Sequence, residues 1–207
     1  TPLRRIPVTT QRSGVLSAAD VDGDGRSELL FTQGGIAYAF NADGTEKWTF
    51  AVADNAIYPQ ASYYRTTDNT NMVAYDLDGD GNREVVFSSI GWVWILDGRT
   101  GAEKARFDTG PRPTGDISGM VYVTDWDGDG KFDLLLNSAN ATLYRQIADG
   151  DRSWRFENTG PLAQQNIEGH DVSPTTVDFD GDGVPDFLGG AEDGRFYFLR
   201  NPRSATK

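Results

Sequence analysis

DVDGDGRSE, at Asp20–Glu28, decides the reading of this chain. The same grammar of nine residues returns as DLDGDGNRE at Asp76–Glu84, DWDGDGKFD at Asp125–Asp133 and DFDGDGVPD at Asp178–Asp186. Each copy sets carboxylates at positions 1, 3, 5 and 9 and a glycine at position 6, where the loop must turn sharply. Hard oxygen donors on alternating residues around such a glycine are what Ca2+ takes. The EF-hand loop opens in the same way, but its bidentate Glu at position 12 is missing here. That role falls to position 9, which is Glu28, Glu84, Asp133 or Asp186. Position 7 (Arg26, Asn82, Lys131, Val184) varies freely, as befits a residue that offers only its backbone carbonyl. One Asp/Gly-rich turn is often only a turn. Four in one grammar are not, and their clustered carboxylates would repel one another without a cation. The expectation is about four Ca2+, one per loop. Their role is structural first, because a saturated carboxylate cage holds a turn and leaves little room for substrate.

The 207 residues carry a formal net charge of -12, and the four loops supply sixteen of the 31 acidic residues. Four bound Ca2+ would bring the net charge to about -4, so the acidity is mostly metal chemistry. No basic stripe exists to release counterions, which argues against a nucleic-acid partner. There is no cysteine, hence no disulfide framework and no redox clue to compartment. No run of about 18 apolar residues is present to span a membrane. Loops of this kind need not bind tightly, and millimolar extracellular calcium would fill even weak sites, so a secreted location is expected, extracellular or periplasmic. The opening TPLRRIPVTT is not a signal peptide. Either one has been removed or the chain is a piece of a longer one.

The loops begin 56, 49 and 53 residues apart, and a period near 50 with turn-rich β patterning points to a solenoid or propeller. Each repeat divides alike. A strand enters the loop (Val15–Ala19, Met72–Tyr75, Met120–Thr124, Thr175–Val177) and a second leaves it (Leu29–Thr32, Val85–Ser88, Leu134–Asn137, Phe187–Gly189). A third follows (Ile36–Phe40, Trp92–Leu96, Thr142–Gln146, Arg195–Leu199), and after an Asp/Gly turn a fourth closes the unit (Glu46–Val52, Glu103–Asp108, Arg152–Glu157). These runs are β-branched and aromatic, are bounded by turn signals, and show no helical periodicity. Four antiparallel strands per repeat make a propeller blade. The expected fold is therefore all-β, a single β-propeller domain over residues 1–207, with repeats at about 11–52, 71–108, 119–157 and 173–200. The fourth repeat ends before its fourth strand. Leu3–Thr9 either supplies that strand and closes a four-bladed ring or finishes a blade lying upstream.

With these loops between first and second strands, the chain resembles the FG-GAP/VCBS repeat family of calcium-binding β-propellers, which includes the integrin α-chain head, a fungal lectin and propellers of bacterial polysaccharide lyases. The resemblance covers essentially the whole chain. Carried over residue by residue, it implies calcium ligation by Asp20, Asp22, Asp24, Arg26 and Glu28 in the first loop, and by Asp76, Asp78, Asp80, Asn82 and Glu84 in the second. It implies the same for Asp125, Asp127, Asp129, Lys131 and Asp133, and for Asp178, Asp180, Asp182, Val184 and Asp186. The count departs from the family, whose best-known members have seven or eight blades. The scaffold hosts many functions, so the resemblance does not name a ligand.

Strand alternation sets the calcium loops on one rim and the connections between repeats on the other. Those connections are long: Ala53–Asn71, Thr109–Gly119 and Asn158–Pro174. Long loops on a rigid scaffold commonly carry binding. Here they offer Tyr58, Tyr63, Tyr64, Arg65, Arg112, Asp116, Gln164, Gln165 and His170, with Arg12 nearby. Tyrosine rings stack on the C–H face of a sugar while amides and guanidinium groups take its hydroxyls, so a carbohydrate or polysaccharide is the expected ligand. A protein partner, or loops that only cover the core, are the alternatives.

A different class of function is also open. His170, the single histidine, could join Tyr64 and Arg112 in a polysaccharide lyase site, where Arg neutralises a uronate, His takes a proton and Tyr gives one. A lone His in such a loop is more often a hydrogen-bonded loop residue. The tryptophans read mostly as core. Trp92 and Trp94 share a strand face, and Trp48 and Trp154 align on fourth strands, where packing is favoured over exposure. The position-2 residues Val21, Leu77, Trp126 and Phe179 read as apolar plugs beneath each loop.

Overall fold

The structure is a computed structural model that describes residues 15–33, 35–52, 70–89, 92–108, 120–137, 141–146, 156–161, 175–190 and 196–204. Every regular element among them is a β-strand. The strands are β-branched and aromatic, and they are cut by Asp/Gly turns whose glycines adopt positive φ, as at Gly44 and Gly101.

The chain divides into two compact units, Thr1–Asp108 and Thr109–Lys207. In the first, β1 (Leu16–Ala19), β2 (Glu28–Gln33), β3 (Ile36–Phe40) and β4 (Glu46–Ala51) form one antiparallel sheet in chain order. β5 (Val73–Tyr75), β6 (Glu84–Ser89), β7 (Trp92–Asp97) and β8 (Glu103–Asp108) form a second in the same order. Its inner strands β6 and β7 are apolar on both faces, and β6 is buried along its whole length. Leu30, Ala37, Ala39 and Trp48 from the first sheet interlock with Val85, Phe87, Trp94 and Leu96 from the second.

The second unit repeats the plan. β9 (Met120–Thr124), β10 (Asp133–Asn137), β11 (Ala141–Gln146) and β12 (Phe156–Pro161) make a four-stranded sheet. β13 (Thr175–Val177), β14 (Asp186–Gly190) and β15 (Phe196–Leu199) make a three-stranded one. Trp126, Leu135 and Leu143 meet Phe187 between them, with Tyr197 and Leu199 at the margin.

The predicted strands are found, most within one residue of their expected ends. The exception is the fourth strand of the third sheet, expected at Arg152–Glu157: residues 152–155 lie outside the described residues, and β12 runs on past Glu157 to Pro161, with a register shift that places Tyr144 opposite Asn158 and Thr142 opposite Pro161. Its sequence ENTGP gave no alternation to read, and proline is tolerated because β12 is an edge strand of its sheet. A second correction concerns the position-2 residues. Val21, Leu77 and Trp126 are buried, but Phe179 is 66% exposed and rests against Phe198 at 4.8 Å between ring centroids. Trp48 is buried on its fourth strand and Trp94 is fully buried, as packing predicts. The expected strand at Leu3–Thr9 lies outside the described residues, and so does Trp154.

Candidate metal centre

Each acidic loop joins the first strand of a sheet to its second, and one set of backbone hydrogen bonds shapes all four. The position-1 carboxylate accepts the N–H of position 6: Gly25 to Asp20 at 3.0 Å, Gly81 to Asp76 at 3.0 Å, Gly130 to Asp125 at 3.2 Å and Gly183 to Asp178 at 2.8 Å. Position 3 accepts the N–H of position 5, as Asp24 donates to Asp22 at 3.2 Å. Position 5 accepts that of position 7, as Asn82 donates to Asp80 at 2.7 Å. These are Asx turns in series, in which a short carboxylate imitates a backbone turn. The glycines at positions 4 and 6 all have φ between 72° and 87°. Position 4 was legible in every DGDG but was not singled out from sequence.

The position-9 carboxylates are the first residues of β2, β6, β10 and β14, and all four are buried to 2% exposure or less. Each reaches back to accept the N–H of position 2. Val21 donates to Glu28 at 2.9 Å, Leu77 to Glu84 at 2.9 Å, Trp126 to Asp133 at 3.0 Å and Phe179 to Asp186 at 3.3 Å. The strand therefore fixes an acid that closes the loop begun one strand earlier.

Positions 1, 3 and 9 converge. In Asp20/Asp22/Glu28, Asp76/Asp78/Glu84, Asp125/Asp127/Asp133 and Asp178/Asp180/Asp186, one oxygen from each residue lies within 4.8 Å of the others. The position-5 acids Asp24, Asp80, Asp129 and Asp182 are not in these triads. Their Oδ1 atoms are engaged by the position-7 N–H groups. Burial pushes the Asp133 carboxyl up, ahead of the opposing pull of the Trp126 N–H, and the Asp127 charge adds to the rise. Burial likewise raises Glu84, against the hydrogen bond from Lys104. Asp22 goes the other way, lowered first by its hydrogen bond from Lys47.

Among the described residues, cationic side chains reach into the acidic clusters. Lys47 on β4 contacts Asp22, and Lys104 on β8 lies 2.5 Å from Glu84 and 3.4 Å from Asp78. Arg200 after β15 lies 2.5 Å from Asp180. The residues also fit a metal ion. The donors are all hard oxygens from three carboxylates, with neither His nor Cys among them, which suits Ca2+. Asp76 Oδ1 and Asp133 Oδ1 are shielded from solvent and accept no well-formed hydrogen bond among the described residues. A buried, unengaged carboxylate oxygen is costly unless a cation meets it.

The turn of the following sheet clasps the preceding loop. Arg99, in the β7–β8 turn, donates to Asp22 O at 2.9 Å, and Trp48 Nε1 donates to Gly98 O at 2.8 Å. After β15, Asn201 donates to Trp126 O at 3.0 Å and Arg203 to the same carbonyl at 3.0 Å. The variable loop neighbours gave no pattern from which sequence reasoning could find these clasps. The expected ligand residues Tyr58, Tyr63, Tyr64, Arg65, Arg112, Gln165 and His170 lie outside the described residues. Among the described residues no helix is long and apolar enough to cross a membrane.

Successive antiparallel sheets, each entered through an acidic loop, define an all-β protein of β-propeller-like fold. The model of the FG-GAP-like repeat matches residues 20–87, 76–136 and 125–189, and the chain belongs to that repeat family. Solved structures agree in fold. The Bacillus licheniformis rhamnogalacturonan lyase PL11 has a TM-score of 0.60 at 19% identity, over 91% of this chain and 42% of its own. Rhamnogalacturonan lyase YesW has 0.61 at 19% identity, with the same coverage. BBS1N, from its complex with ARL6DN, has 0.59 at 10% identity, over 96% of this chain and 56% of its own. The chain thus spans well under half the length of either lyase. No curated protein matches it in sequence.

Proposed function

We propose that this chain is a calcium-stabilised extracellular recognition module that binds carbohydrate through the long connections at the rim opposite the acidic loops. The observation that carries the reading is the fourfold triad of carboxylates, each closed by a buried position-9 acid. It supports one structural Ca2+ per loop, held by positions 1, 3 and 9 with help from position 5 and the position-7 carbonyl. Calcium so placed stiffens one end of each sheet and leaves the other for recognition. There Tyr58, Tyr63, Tyr64, Arg65, Arg112, Gln165 and His170 supply ring faces and hydrogen-bond donors for a sugar. The abundance of calcium outside the cell supports a secreted setting.

The rhamnogalacturonan lyases of similar fold favour a polysaccharide as ligand, and they give a second reading, a lyase or its accessory domain using His170, Tyr64 and Arg112. One experiment separates the two. The purified chain is passed over immobilised glycans and polysaccharides in calcium, and the bound polysaccharide is then assayed for unsaturated ends. Selective retention without cleavage, lost in Tyr63→Ala and Tyr64→Ala at an unchanged melting temperature, is expected. Cleavage that disappears in His170→Ala would establish the lyase reading, and retention on no glycan would end the carbohydrate proposal.

A further inference from the structure

Two lysines reach the acidic loops from one place in the sheet. Lys47 follows Glu46, which pairs with Phe40, and Lys104 follows Glu103, which pairs with Leu96. Phe40 and Leu96 pair in turn with Leu29 and Val85, the residues after position 9. The fourth strands of the first two sheets thus set a lysine at the same register, and each lysine sends its ammonium to the loop of its own sheet. These are not the exposed surface pairs that contribute little. The side chain of Glu84 is 0% exposed and that of Asp78 9%, while Lys47 is 13% and Lys104 24% exposed.

The lysines take the oxygens that the turn leaves over. Asp22 Oδ1 accepts the Asp24 N–H at 3.2 Å, and Lys47 donates to Asp22 Oδ2. Asp78 Oδ1 accepts the Asp80 N–H at 3.1 Å, and Lys104 donates to Asp78 Oδ2 at 3.4 Å. Glu84 Oε2 accepts the Leu77 N–H at 2.9 Å, and Lys104 donates to Glu84 Oε1 at 2.5 Å. Asp22, Asp78 and Glu84 all belong to the converging triads. A Ca2+ bound to one of these oxygens at about 2.3–2.6 Å would stand within about 5 Å of the ammonium, and the two charges would repel. On the reading that these loops take Ca2+, we infer that Lys47 and Lys104 are built-in competitors of the metal. Each neutralises its loop when calcium is scarce and swings out when Ca2+ enters. The first two loops then keep their shape without metal and fill only where calcium is plentiful.

Calcium titration of the full chain, with melts in chelator and in saturating calcium, tests this on Lys47→Met and Lys104→Met, which keep an apolar stem and remove the charge. Each variant should bind Ca2+ at one site about tenfold more tightly than the parent. Each should also melt lower than the parent in chelator, or fold only once calcium is added, yet melt no lower in saturating calcium. Arg99→Met is the control, because Arg99 touches the first loop only at the Asp22 backbone carbonyl, and its loss should change calcium affinity far less. Unchanged or weaker calcium binding in either lysine variant, with the parent still binding, overturns the inference and leaves the calcium reading standing. So does a melt in chelator equal to the parent's, or a gain in Arg99→Met as large as that in Lys47→Met, which would mean a general effect of charge. Calcium binding by neither parent nor variants ends both readings.

Discussion

At the level of single residues, the acidic loops are built from two kinds of position. The carboxylates at 1, 3 and 5 accept backbone N–H groups and write the turn, while glycines at 4 and 6 supply left-handed backbone that other residues reach only at a cost. The cost can be separated from crowding. Gly25 has φ 85° and open space where a Cβ would stand. Gly25→Ala should therefore lose only the conformational term, about 1–2 kcal/mol by chemical denaturation. Gly101 has φ 72°, and its Cβ would stand 2.7 Å from the ring of Trp48. Gly101→Ala should lose that amount and about 1–3 kcal/mol more from overpacking. Equal losses at the two sites would contradict the assignment.

At the scale of elements, the sequence made most of the sheet order visible. Four copies of one loop located the first and second strands, because a strand must enter and leave each copy. Turn signals such as DGRTG at Asp97–Gly101 located the third and fourth. The end of β12 escaped because ENTGP has no alternation and closes on Gly and Pro, which read as a turn. Phe179 escaped because the four loops are alike in sequence, and only the covering of neighbouring sheets decides whether position 2 is buried. The position-5 acids looked equal to those at 1, 3 and 9 as letters. What separates them is convergence: oxygens of positions 1, 3 and 9 lie within 4.8 Å of one another, and position 5 stands outside that set. The rim residues were visible as composition alone, since their argument rests on loop length and side-chain chemistry. The clasp between sheets gives a prediction at this scale. Trp48→Phe keeps a ring but strands the buried Gly98 carbonyl, and should lower stability by about 1–3 kcal/mol while leaving calcium stoichiometry unchanged. A loss of bound calcium in that variant would mean that the clasp and the ion site are one unit.

For the whole molecule, the acidic charge and the fold have a single explanation if calcium is the common partner of the loops. The sixteen carboxylates would otherwise stand as four repelling clusters, each with one member held buried at the start of a strand. Ion binding to the native state adds to stability by mass action, about 2.7 kcal/mol for a site at a hundredfold excess over its dissociation constant. The direct measurement is calorimetric titration of chelator-treated chain with Ca2+, paired with thermal melts before and after. The account predicts saturable binding that approaches four ions per chain, one for each triad, and a melting temperature that rises steeply with calcium and falls back in excess chelator. No binding heat together with a melt indifferent to chelator would contradict it, and would leave the loops as acidic turns held by the backbone and by side chains such as Lys47, Lys104 and Arg200.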